Sequence, residues 1–326
     1  MRKPFTVVSV LFVTGALLAA CATPAPAPTA PPAPSPVTVM ETVVVTAVPT
    51  EAPTEAAAPT PVAQVPSDAL SEPGKLVICS DIPYPPQEFY DAQGNPTGSD
   101  VDIGNEIAAR LGLQAQWVNS IFDTIIAAVT SGKCDIIISA QNITADRNKQ
   151  VSMIPYFEAG QSMVAAKGNP DNINSPTDLC GKSAAAESGT TEADYIQGTG
   201  DYATSGGLKA ECEKAGKPPV TLVVTQKDTD ALQQLQAGKV SVYFADSPVA
   251  AYYTVQHPDQ FQLVGQLIEP IVEGISVPCA ETDCTNAPLT PLGQSVETAL
   301  KSMMADGTYM AILTKWNLQD SAVTLP

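Results

Sequence analysis

Polar residues able to grip a small charged molecule gather at three places in this chain. The first closes an apolar run, where Ile136-Ile-Ile138 leads into Ser139, Ala140, Asn142, Thr144 and Arg147. A guanidinium is a planar fork that matches a carboxylate through two parallel hydrogen bonds. The plain alternative for Arg147 is a solvated helix-turn arginine. The second place is Glu187-Ser-Gly189-Thr190-Thr191-Glu192, which follows a strand-like run from Lys182 to Ala186. Strand, glycine, threonine and then helix leave backbone N–H groups free at a helix start, which suits an anion. Simple N-capping by threonine would need no ligand. The third place is Asp246, behind Tyr243-Phe244-Ala245 and ahead of Ser247-Pro248. A buried acid there needs a cationic partner, or its pKa rises. It could also cap the helix that Pro248 opens, and the two roles are compatible. The chain has one histidine, His257, which nearly excludes His-based catalysis and multi-His metal sites. Cys279, Cys284 and His257 could make a zinc site only with a fourth ligand, and neither a metal nor a cofactor is expected.

The elements that must position these groups read as α/β. Strand Lys75–Ser80 runs into Asp81-Ile-Pro-Tyr84-Pro-Pro, which cannot stay helical past its prolines. Asp91-Ala-Gln-Gly94-Asn95 is a hairpin-type turn. A helix from about Val101 to Leu111 carries Ile103, Ile107 and Leu111 on one face. An amphipathic segment, Phe122 to Thr130, precedes the strand Cys134 to Ser139. Its Ile136–Ile138 core lacks alternation, as a strand covered on both faces should. Helix, strand, helix, strand and polar loop describe a parallel sheet, and ligands bind beyond the carboxyl ends of such strands. The pattern then recurs: Gly238-Lys239 aligns with Gly132-Lys133, each between an amphipathic helix and a strand. Two similarly built halves are expected, each with polar groups at the tip of an equivalent strand. Helices near Pro291 to Ala305 and Tyr309 to Trp316 complete the first.

The 326 residues suffice for two lobes with their own cores. With 16 basic and 34 acidic residues the net charge is −18, which disfavours nucleic acid and anionic lipid as partners. Arg2 and Lys3 precede an apolar run from Phe5 to Ala20, which reads as an export signal over 1–20. It ends Leu18-Ala19-Ala20-Cys21, resembling a bacterial lipobox, so cleavage before Cys21 and lipidation of its sulfur are expected. Loss of the signal takes the charge from −18 to −20, because Arg2 and Lys3 go with it. The Pro/Ala/Thr-rich stretch that follows, within 21–74, builds no core and reads as a tether.

The motifs Gly98-x-Asp-Val-Asp-Ile, Ser131-Gly-Lys-Cys-Asp-Ile-Ile-Ile-Ser139 and Asn142-Ile-Thr-Ala-Asp-Arg147 together resemble family 3 of the bacterial extracellular solute-binding proteins. The similarity runs from about Lys75 to the C-terminus. It implies a two-lobed periplasmic-binding-protein-like fold (type II), two parallel-core sheets joined by two hinge strands. Lobe one would hold 75–163 and 280–326, and lobe two 164–279. Gln161–Lys167 would be the outgoing connection and Gly274–Cys279 the return, with closure trapping the ligand. By the same resemblance Arg147 takes an amino-acid carboxylate and Asp246 the α-ammonium. Thr190 or Thr191 would add a hydroxyl. Asp81, Tyr84 and Phe122 would surround the ligand side chain, the rings sandwiching an aliphatic stem and Asp81 receiving the tip. Against this, Phe122 could be core and Asp81 a loop cap. Ser139, Ala140 and Asn142 match binding positions, although Ala140 replaces a usual hydroxyl and Gln141-Asn142 is bulkier than the usual pair. The implied role is capture of a polar or basic L-α-amino acid for an ABC importer. The implied partner is its membrane permease, and the expected state is a monomer lipid-anchored outside the cytoplasm. Cyclohexadienyl and arogenate dehydratases resemble these receptors too. Such an enzyme would need Glu187 as its general acid.

Six cysteines follow Cys21, in a compartment that permits disulfides. Cys279 and Cys284 are near neighbours, and Cys180 and Cys212 flank the first helical unit of the second lobe; both pairs are expected to bond. Cys79 ends one strand and Cys134 begins its neighbour. At ~3.3 Å per residue that separates them by more than about 10 Å, so both are expected to be free thiols.

Overall fold

A computed structural model describes residues 61–325. The signal over 1–20, Cys21 and the tether as far as residue 60 lie outside the described residues.

In chain order the strands are β1 (Lys75–Ser80), β2 (Phe89–Tyr90), β3 (Pro96–Thr97), β4 (Gln114–Asn119), β5 (Ile136–Ile137), β6 (Ser152–Ala166), β7 (Ser183–Glu187), β8 (Thr221–Thr225), β9 (Val242–Asp246) and β10 (Phe261–Val277). The α-helices are α1 (Ser99–Arg110), α2 (Ile125–Thr130), α3 (Ala145–Asn148), α4 (Thr191–Gln197), α5 (Gly207–Lys214), α6 (Asp228–Gln236), α7 (Ser247–Gln256), α8 (Pro291–Asp306) and α9 (Thr308–Lys315). Eight strands form one sheet in the order β4-β1-β5-β10-β6-β9-β7-β8. The two parallel cores are β4-β1-β5 and β9-β7-β8. Between them run β6 and β10, which pair antiparallel along their length. Read from either edge the order is the same: outer strand, first strand, strand with the polar tip, long crossing strand. The short Gly132 and Gly238 repeat is the local signature of that symmetry. Both glycines take a left-handed conformation between helix and strand. The stretches expected as connections are the ends of these longer crossing strands. The register of β10 slips between Val264 and Ile271, and such irregularities let a strand bend.

Helices cover both faces of each half, which is why Ile136–Ile138 needs no polar alternation. Leu76, Ile78, Ile136 and Ile138 face α1, α8 and α9 through Ile107, Leu300 and Leu313. Val77, Cys79 and Ile137 face α2 through Ile125 and Val129. In the second half α6 and α7 cover one face, and α4 and α5 the other. Gly98 opens α1 at φ 128°, where a Cβ would run into the Gln87 carbonyl, so the motif glycine is a backbone requirement. Residues 61–74, which composition assigns to the tether, pack along the first half. Ala63, Val65 and Leu70 meet its core, and Val62 N–H donates to Arg110 O at 2.9 Å.

Disulfides join Cys180 to Cys212 and Cys279 to Cys284. Contrary to the expectation of free thiols, Cys79 is bonded to Cys134, with Cα atoms 5.8 Å apart. The expectation assumed extended chain from Cys134 onward. Instead β5 has only two residues and the backbone bends at Asp135. Asp135 clasps Val77 with both its N–H (2.8 Å) and its carboxylate (2.7 Å). That bend lifts Cys134 over the sheet face from which Cys79 projects. Thiol titration of the denatured, unreduced protein past Cys21 should therefore find none. Removing the cross-link within the second half, in Cys180→Ser/Cys212→Ser, should cost roughly 3–4 kcal/mol in denaturant unfolding.

Candidate functional site: a carboxylate-rich cleft

The first wall is built at the end of β5. After Ile138 the chain turns sharply, with Ala140 in the left-handed region at φ 43° and its N–H held by Asp100 Oδ2 at 3.1 Å. Asn142 then bridges to Glu273 of β10. Thr144 caps α3 by accepting the Arg147 N–H at 3.2 Å. This short helix aims the half-buried Arg147 across the cleft. Its Nη1 donates to Asn142 O at 2.7 Å and its Nη2 to Gly189 O, on the opposite wall, at 2.9 Å. The guanidinium carbon lies 5.2 Å from the Phe122 ring centre, so Phe122 is a platform for the cation, not a core residue.

The second wall is built at the ends of β7 and β9. Thr190 caps α4: its Oγ1 accepts the Ala193 N–H at 3.3 Å and donates to Glu187 O at 2.8 Å. Thr191 accepts from Asn142 Nδ2 at 3.4 Å and donates to Glu192 at 3.3 Å. Gly189 sits at φ 79°, and a Cβ there would come within 2.9 Å of Asp123 Cα. Glycine thus lets the two walls approach. Asp246 occupies the cap position of α7 but makes no side-chain cap bond. Its Oδ2 accepts from Tyr84 Oη at 2.8 Å, its N–H donates back to that hydroxyl at 3.1 Å, and its Oδ1 has no protein donor.

Between these walls is a narrow cleft, closed down around its lining side chains. All ten of the candidate ligand residues named from the sequence border it: Asp81, Tyr84, Phe122, Ser139, Ala140, Asn142, Arg147, Thr190, Thr191 and Asp246. Their individual settings differ from expectation in places. Tyr84 reaches the far wall through its hydroxyl, which bonds Asp246. Ser139 is committed within the protein, donating to Glu88 at 2.8 Å and accepting the Asp81 N–H at 2.8 Å. Sequence reasoning missed Glu88 and Glu192 as lining residues and weighed Glu187 only as an acid catalyst. The signal available was position: Glu187 and Glu192 bracket the Gly-Thr-Thr turn. The lining thus holds five carboxyl groups, none more than 5% exposed, against the single guanidinium of Arg147. Burial on this scale favours the protonated acid unless a cation enters.

The model of the bacterial extracellular solute-binding proteins, family 3, matches residues 76–319. The chain belongs to that family. Among its relatives, the arginine-binding protein ArgT of Corynebacterium glutamicum is 26% identical over 80% of this chain and 81% of its own. An ancestral arginine-binding protein solved bound to arginine superposes with TM-score 0.64 at 33% identity, over 74% of this chain and 98% of that one. An ancestral arginine-binding protein solved bound to glutamine gives 0.64 at 32% identity, over 75% and 98%.

In this solute-binding protein burial lifts the acids in and around the cleft well above their usual range. Burial, with Glu192 and Glu273 nearby, raises Asp246 far above the ordinary carboxylate value. Burial raises Glu187 to about 10, helped by Asp81 and Asp228. Burial raises Asp228 to about 8 and Asp100 to about 6. Glu88 and Glu273 are raised for the same reason, with Asp100 between them. A carboxyl whose folded pKa is raised binds more protons folded than unfolded, so folding loses stability as pH climbs from the unfolded value through the folded one. Without ligand, the melting temperature should fall as pH rises from about 4 towards 8, by on the order of 5 °C or more in calorimetry. A flat or rising profile would show that these acids are ionised in the folded chain.

Proposed function

We propose that this solute-binding protein captures an L-α-amino acid with a cationic side chain between its two lobes and delivers it to the permease of an ABC importer. What carries the reading is one arrangement: Arg147 on one wall and Asp246 on the other face a single cleft whose lining holds four further carboxyl groups. A zwitterion would meet Arg147 with its carboxylate and Asp246 with its ammonium. Thr191 and Asn142 would sit beside the carboxylate. The surplus carboxyls would then face the side chain, and a cationic tip would relieve their burial. Arginine binding by relatives supports this ligand class. Lobe one is taken as 75–163 with 280–326 and lobe two as 164–279, the hinge lying in β6 and β10. Export, with a lipid anchor at Cys21, would hold the protein as a monomer outside the membrane. A dehydratase is the second reading, favoured by Glu187, a buried carboxyl that keeps its proton at neutral pH. Titrating the twenty amino acids by calorimetry, with product analysis, tests both. Stoichiometric binding of arginine or lysine without turnover is expected. Release of a new product would transfer the protein to the enzyme class.

A further inference from the structure

The acid expected to receive the ligand's distal cation is Asp81, yet this carboxylate is already taken. Lys227, just before α6 in the second half, reaches across the cleft and forms an ion pair with Asp81 Oδ1. The same ammonium donates to Asn119 Oδ1 and to Ser120 O, each at 3.2 Å. The other oxygen of Asp81 accepts the Phe122 N–H at 2.6 Å. Both oxygens therefore have partners from the protein itself, one of them a full charge.

Glu187 is placed differently. It ends β7, lines the cleft and is 5% exposed. Its carboxyl lies against that of Asp81, and its Oε1 has no protein donor. Lys227 is close enough to act on its charge but does not bond it. Glu88 also has an unpartnered oxygen, but it lies in one cluster with Asp100 and Glu273, and among the described residues no salt bridge reaches any of the three. Ionising Glu88 would set it against two buried acids. Ionising Glu187 is opposed by Asp81 and Asp228 and favoured by Lys227.

We propose that Glu187, rather than Asp81, is the carboxylate that selects a cationic ligand side chain, and that Lys227 assigns it this task by neutralising Asp81. This rests on the amino-acid-binding reading above. L-arginine and L-glutamine share the α-carboxylate and α-ammonium and differ at the tip, so the ratio of their affinities isolates the distal interaction. Both are titrated by calorimetry into wild type, Glu187→Gln and the double variant Asp81→Asn/Lys227→Met, which removes the internal ion pair without changing net charge. Glu187→Gln removes the carboxyl that gives up its proton as a cationic tip enters, and should lower the arginine-to-glutamine ratio by about tenfold to a hundredfold, the worth of a charge-assisted hydrogen bond. The double variant should weaken both ligands together, because the tie across the cleft is gone, and move their ratio by no more than about threefold. Glutamine binding by each variant reports that it folds. A ratio that survives Glu187→Gln, or that falls as far in the double variant, overturns the assignment and leaves the functional reading standing. Failure of the wild type to bind either amino acid overturns both.

Discussion

Arg147→Lys should weaken amino-acid binding by about a hundredfold, with the fold intact. The guanidinium does three things at once. It donates to the Asn142 carbonyl, donates to the Gly189 carbonyl across the cleft, and lies over the Phe122 ring. Those two bonds leave three of its five N–H donors unused on one rigid plane at the cleft wall, the kind of fork that a carboxylate accepts bidentately. Lysine keeps the charge but has a single nitrogen. It cannot hold both walls and still offer a fork. Loss of two charge-assisted hydrogen bonds, at roughly 1.5 kcal/mol or more each, gives the stated factor. Isothermal titration with L-arginine checks it, and the melting temperature without ligand serves as the folding control. An affinity within about threefold of wild type would remove Arg147 from the carboxylate contact.

Asp246→Asn should weaken binding by a similar factor, and it should also flatten the pH dependence. In the ligand-free protein Asp246 is raised by burial, by Glu192 and by Glu273, so it tends to hold a proton. A ligand ammonium favours the ionised form. Proton and ligand therefore compete, and wild-type affinity should rise as pH rises from about 5 to about 8. Asparagine keeps an oxygen for Tyr84 but removes the charge and its titration. Titrating wild type in buffers of different ionisation enthalpy should reveal proton release on binding, and Asp246→Asn should release fewer protons. Equal release from the two proteins would move the proton to Glu192 or another cleft acid.

Much of the architecture could be read from local chemistry. The span of β1, the turn at Asp91–Asn95, the two C-terminal helices and the repeat around Gly132 and Gly238 follow from periodicity and turn residues. These are decided within a few residues of chain. The bend before β5 was not legible. It arises from Asp135 clasping Val77, fifty-eight residues away, and only that long-range interaction brings Cys134 to Cys79.

The cleft divides in the same way. Residue types alone put a guanidinium, a threonine-capped turn and a carboxylate at three strand tips, because polar groups beyond the ends of parallel strands are a local consequence of α/β order. Tertiary structure alone decided how those tips are balanced. Folding one half onto the other pairs Lys227 with Asp81, turns Tyr84 onto Asp246 and leaves Glu187 with a free oxygen. Charge balance inside a buried site depends on which side chains meet across the cleft, and a linear pattern carries no record of that.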